Sequence, residues 1–162
     1  MQKSKGFTLI ELLVTIAIIG ILSAIILFSI TQYINRSKDA AIAGALSSLV
    51  PTGEVYYDNN GVDGYSGGIG GLGFCGSSAL ENANNSISLP ADNNCKNVDG
   101  KSIICCKANT NNWAACAQEF VNSNRAFCVD SRGIKREICA ASCSDSILSC
   151  PENTLSACQQ PI

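Results

Sequence analysis

The chain has 162 residues, a formal net charge of −2, a pI near 5.0 and no histidine. Missing imidazole removes the commonest general base and the commonest nitrogen ligand for zinc. The 11 Lys and Arg are scattered, with no basic run longer than Lys135-Arg136, so no phosphate-binding or nucleic-acid surface is legible.

After Lys5 the only charge before Arg36 is Glu11, and the 24 residues from Leu12 to Asn35 carry none. As a helix that run is roughly 36 Å long, enough to cross a bilayer. An acid inside such a span costs about 2.5–3.5 kcal/mol, so it marks a function and needs a partner. A secretory signal has a shorter apolar stretch and a polar cleavage region after it, which this segment lacks. A plain anchor accounts for the length but not for Glu11 or the Lys5-Gly6-Phe7 junction.

The stretch Lys5-Gly6-Phe7-Thr8-Leu9-Ile10-Glu11-Leu12-Leu13 closely resembles the class III leader junction of type IV pilins and pseudopilins. The resemblance covers about 30 residues and has implications for individual positions. Residues 1–6 are a leader cut after Gly6, Phe7 is the N-methylated first residue of the mature chain, and Glu11 is its assembly acid. Gly20 matches the family's usual helix glycine, whereas Phe28 stands where many members have proline. The implied partners are copies of the same chain in a filament, a prepilin peptidase, and a platform protein with its assembly ATPase. The membrane holds the subunit before assembly, and no cofactor or metal is implied. The chemistry is compatible: cleavage creates an amine at Phe7, four residues before Glu11, and opposite charges attract strongly in low dielectric.

The expected organisation is therefore a leader (1–6), a spanning and filament-core helix (7–35), an amphipathic continuation (36–60) and a head (61–162). Lys3 and Lys5 on one side, against Arg36, Lys38 and Asp39 on the other, give a mild push toward a cytoplasmic N-terminus. The cysteines belong outside, on the later filament at the cell surface.

From residue 36 the pattern becomes amphipathic. Ile42, Leu46, Leu49, Gly53 and Tyr56, with Ala45, form one stripe, and Lys38, Asp39, Ser47 and Glu54 are expected opposite it. Pro51 removes a bond to the Ser47 carbonyl and predicts a kink or short break at 47–51. Val55 to Gly61 ends the helix with turn formers.

Residues 61–76 contain eight glycines, read as a flexible loop from helix to sheet. The loop lacks the preceding strand of a nucleotide-binding loop. Asp58, Asn59, Asn60 and Asp63 offer oxygen ligands, but no bidentate Glu at the right offset completes a calcium site.

Ten cysteines follow: Cys75, Cys95, Cys105, Cys106, Cys116, Cys128, Cys139, Cys143, Cys150 and Cys158. Their number and density, with no Cys-x2-Cys ligand pair, read as disulfides formed in an oxidising compartment. Strands are expected at Lys101–Ala108, Trp113–Val121, Ala126–Asp130 and Ile134–Ile138, joined by turns too short for crossovers. Adjacent Cys105 and Cys106 face opposite sides of a strand and should bond different partners. The spacing does not decide the connectivity; a turn centred near Asn122 would allow Cys116 and Cys128 to pair across the hairpin. The tail holding Cys139 to Cys158 has little apolar material, so bridges must hold it.

The fold class is thus α+β, a long N-terminal helix packed on a small antiparallel sheet in a disulfide-rich head. Catalysis is not expected: no His activates a cysteine, and Glu119, Asp130 and Glu137 read as solvated hairpin charges. The function expected is that of a filament subunit. The alternative is a single-pass, cysteine-rich binding domain that never polymerises.

Overall fold

A computed structural model describes residues 6–67, 72–152 and 158, with backbone alone at 27–29. The chain divides into two compact units, Met1–Asn35 and Arg36–Ile162, each described by itself. One helix, α1 (Leu9–Asn60), supplies most of the first unit and begins the second.

In the first unit the helix is apolar on nearly every side, and none of its apolar side chains among the described residues is buried. Leu9 is 80% exposed, and Ile16, Ile19, Ile21 and Ile25 are similarly open. A helix that is hydrophobic all round is stable only in lipid or packed among other helices. The segment is long and apolar enough to cross a membrane. The expectation concerning Phe28 falls on a side chain outside the described residues.

In the second unit the stripe of α1 becomes core: Ile42, Leu46 and Leu49 are buried, with Ala45, Val50 and Tyr56 packed around them. The helix runs on through Pro51, so the break expected at 47–51 does not occur. Pro51 denies the Ser47 carbonyl its donor, but Leu46 and Leu49 before it and Gly53 after it are all buried. Packing on both sides holds the helical phase, and the ring faces solvent. The helix stops at Asn60 because Gly61 takes a left-handed φ of 55°, as glycine after a helix end commonly does.

Strands β1 (Cys105–Ala108), β2 (Trp113–Gln118), β3 (Arg125–Asp130) and β4 (Lys135–Cys139) form one antiparallel meander in the order β1-β2-β3-β4. Two boundaries differ from the sequence reading by three or four residues, for the same reason, and the others agree to within one. Residues 101–104 bond elsewhere: Ile103 N–H donates to the Cys95 carbonyl and Ile104 N–H to Asn84 Oδ1. Past Gln118, the amides of Phe120 and Val121 leave the ladder for Asp39.

The glycine-rich segment is more ordered than a flexible loop. It contains 3-10 turns at Gly61–Ser66 and Gly73–Gly76; residues 68–71 lie outside the described set. An unanticipated helix, α2 (Ser78–Ser86), follows and buries Leu80 and Ala83. At Gly64, with φ 49°, a side chain would collide with the Thr110 backbone.

Alternation along β2 separates two cores. Trp113, Ala115 and Ala117 face a layer built from α1, α2 and the 3-10 turns, through Leu46, Leu49, Phe74 and Leu80. The Phe74 and Trp113 rings pack with their planes tilted by 52° and centroids 4.6 Å apart. Gly53 lets α1 approach the indole, since a Cβ there would lie 2.6 Å from Trp113 Nε1. On the other face Cys105, Ala114, Cys116, Ala126, Cys128 and Ile138 meet Cys95, Cys143, Ile147 and Cys150.

Candidate assembly site and the comparisons that bear on it

At the start of α1 the residues singled out in the sequence lie in one short stretch. Gly6 is exposed, with open space where a Cβ would be, and Phe7 is 73% exposed. Thr8 and Glu11 then form a reciprocal cap. The Thr8 amide and hydroxyl both donate to Glu11 Oε2 at 2.8 Å, and the Glu11 amide donates to Thr8 Oγ1 at 3.3 Å. This is the capping box, Thr-x-x-Glu, which satisfies donors that a helix start leaves unpaired.

The cap corrects one expectation. Glu11 is not an acid without a partner, because its own chain already gives it two hydrogen bonds. The sequence carries the signal for this cap, Thr8-Leu9-Ile10-Glu11 before an apolar run. The bonds use the Thr8 amide and side chain, so removing residues 1–6 would leave them intact.

Every cysteine is in a disulfide: Cys75–Cys106, Cys95–Cys105, Cys116–Cys143, Cys128–Cys150 and Cys139–Cys158. Cys105 and Cys106 do bond different partners on opposite faces. The Cys116–Cys128 bridge that a hairpin centred near Asn122 would allow does not form, although the hairpin centres there and the two residues are opposed in register. Each instead reaches out to the tail over their common face.

The charged residues take roles the sequence did not reveal. Asp39, expected on the solvent side of α1, accepts the Phe120 amide at 2.6 Å and the Val121 amide at 3.0 Å. Lys38 stands 4.5 Å from the centre of the Phe120 ring. Glu54 accepts the Tyr65 hydroxyl at 3.0 Å. Asp130 is fully buried rather than solvated. It accepts the Arg132 guanidinium at 2.6 Å and the Cys150 amide at 2.9 Å, tying the β3–β4 turn to the tail. Burial raises its pKa, but Arg132 and the Cys150 amide more than offset that and hold it below the ordinary carboxylate value. Glu119 behaves oppositely: burial, then Glu137 and Asp39, push it up to about 7, with Arg125 working against them.

Among the described residues, the clusters of Cys, Asp or Glu close enough to share a metal are built from cysteines already in disulfides, Asp145 apart. Asp58 and Asp63 belong to no such group among the described residues, and the Asn60 side chain donates to the Tyr56 carbonyl.

The site so defined is the capped end of an unburied apolar helix leading into a disulfide-stapled α+β unit. Residues 1–27 match the prokaryotic N-terminal methylation motif. The chain is 50% identical over 48 residues to the type IV major alpha-pilin of Moraxella bovis, covering 30% of each. It is 43% identical over 61 residues to a type IV wide pilus major component of Thermus thermophilus, covering 37% of this chain and 47% of that one. To the prepilin peptidase-dependent protein D of Escherichia coli it is 41% identical over 76 residues, covering 44% and 50%. The matched stretch thus spans from under a third to about half the length of these curated relatives. Motif and relatives together support the type IV pilin family for this chain. No solved structure matches.

Proposed function

We propose that the chain is a structural subunit of a type IV pilus or a related filament, not an enzyme. It is processed after Gly6, N-methylated on Phe7 and polymerised through its N-terminal helix. The observation that carries this reading is the methylation motif placed directly on the Thr8–Glu11 cap of an unburied apolar helix. Before assembly, lipid covers that helix, with the N-terminus cytoplasmic and the disulfides outside. In the filament, other copies of the helix replace the lipid, while the α+β unit forms the outer surface.

Glu11 then acts with an amine that exists only after cleavage. The cap holds its carboxylate on the amide of Thr8, the residue next to Phe7. Thr8 lessens the cost of desolvating the acid in an isolated subunit, since hydrogen-bonded polar groups are far cheaper to bury. An amine from a neighbouring copy adds a charge that Thr8 does not supply. A prepilin peptidase, a platform protein and an assembly ATPase are the partners this function requires.

Co-expression with a prepilin peptidase followed by mass spectrometry of the N-terminus tests processing; the expected result is a chain beginning at methylated Phe7. Any other mature N-terminus defeats the proposal. Glu11→Ala is expected to insert in the membrane normally yet yield few filaments. If Gly6→Val leaves processing and surface display unchanged, the non-polymerising anchored domain becomes the better reading.

A further inference from the structure

Three cysteines stand in a row across the sheet: Cys105 opposes Cys116, and Cys116 opposes Cys128. All three face the same side, and each is bridged outward, to Cys95, Cys143 and Cys150 respectively. Opposed residues in antiparallel strands have Cα atoms about 4.5–5.5 Å apart, inside the range a disulfide spans. Neighbours in the row can therefore also bond one another.

The order of folding favours that wrong pairing. Cys116 and Cys128 are twelve positions apart and meet as soon as the β2–β3 hairpin closes on its own turn, where Arg125 N–H donates to the Asn122 carbonyl. Their native partners are 27 and 22 positions away, in a tail with no strand to bring it in. Loop closure alone favours the short pairing over these by about two- to threefold. Cys105 competes less, because its native partner Cys95 is only ten positions away.

We propose that maturation of this chain passes through a transient Cys116–Cys128 bridge, resolved by exchange at Cys116, and that a thiol-bearing disulfide isomerase is therefore one of its partners. The isomerase thiolate attacks Cys116 Sγ, a Cys116–isomerase bond forms, and the electron pair of the broken bond leaves on Cys128. The Cys143 thiolate then attacks Cys116 Sγ, forming Cys116–Cys143 and releasing the isomerase thiolate. No net oxidation occurs in either step. Cys128 and Cys150 then give two electrons and their protons to an external disulfide, which is reduced to two thiols. In the finished fold Cys116 and Cys143 are 0% and 1% exposed. Exchange must therefore occur before the tail closes over the sheet, which is when an isomerase has access. This inference does not depend on the chain forming filaments.

The test is oxidative refolding of the reduced full chain in detergent, with free thiols blocked at intervals and bridges mapped by mass spectrometry. With diamide, an oxidant that supplies no thiol, the Cys116–Cys128 peptide should exceed Cys116–Cys143 about threefold in the earliest species. Adding reduced glutathione or a purified disulfide isomerase should reverse that ratio. A C143S/C150S variant should retain the short bridge and shows that its peptide is detectable. Absence of the short bridge from early wild-type species overturns the proposal, and so does a short bridge that persists in reduced glutathione.

Discussion

The two faces of the sheet are closed by different chemistry. On one, helices α1 and α2 bring large side chains against Trp113, Ala115 and Ala117, and packing does most of the holding beside the single Cys75–Cys106 bridge. On the other, a tail without regular strands is stapled through Cys143 and Cys150, with Ile147 as its buried apolar anchor. A helix brings its own backbone hydrogen bonds to the interface and needs only an apolar stripe. A tail with few apolar residues cannot offset its ordering entropy that way, so covalent bridges reduce the entropy of its unfolded state instead.

The sharpest way to break this contrast is to empty the helical face. Trp113→Ala should lower stability by about 3–5 kcal/mol, the cost of deleting a fully buried aromatic. Denaturant titration of the full chain in detergent, with all five disulfides intact, measures it. Replacing both Cys116 and Cys143 by Ala should cost about 2–4 kcal/mol in the same assay. Proteolysis then separates the faces. The disulfide variant should be cut first in the 140–150 segment, whereas Trp113→Ala should expose α1 and α2. If both variants give the same cleavage pattern, the two faces do not stabilise separate parts of the unit.

Asp39→Ala should cost about 1.5–3 kcal/mol, since it strips a charged acceptor from two amides and frees residues 120–121. Faster hydrogen exchange at Phe120 and Val121 is the specific signature.

The smallest effect is in pH. Glu119 has its folded pKa raised to about 7, so its contribution is fully present below its unfolded value of 4.5 and fades as pH rises through about 7. Asp130 has a lowered folded pKa, so its contribution is present above 3.8 and is lost as pH falls further. Stability should therefore peak between those limits, and Glu119→Gln should flatten the alkaline side alone. An unchanged profile for Glu119→Gln would show that another group controls it.

What could be read in advance followed from periodicity. The stripe from Ile42 to Tyr56 appears because a 3.6-residue repeat puts those side chains on one face whatever they pack against. The four strands were legible from turn residues at short spacing, and Cys105 and Cys106 from the two-residue period of a strand. Helix α2 was missed because only Leu80 and Ala83 of its nine residues are buried, too few to stand out. The hydrogen-bonding roles of Asp39 and Asp130 were not legible because the amides they tie down, those of Phe120 and Cys150, lie 81 and 20 positions away; only Arg132 stands close to Asp130 in the chain. A charge pattern along one helix or hairpin carries no trace of such partners.

The same division holds at the N-terminus. Gly6, Phe7 and Glu11 are informative within a few residues because a cleavage junction, a capping box and a spanning helix are all local structures. Their geometry is set by neighbours in the chain. Disulfide connectivity and the environments of the buried acids are set by neighbours in space. Cys116 shows the difference: its strand, register and facing were all implied by its surroundings in sequence, yet its partner was not. Only the folded tail, crossing above β2 and β3 and held there in part by Asp130, made Cys143 rather than Cys128 the nearer sulfur to bond.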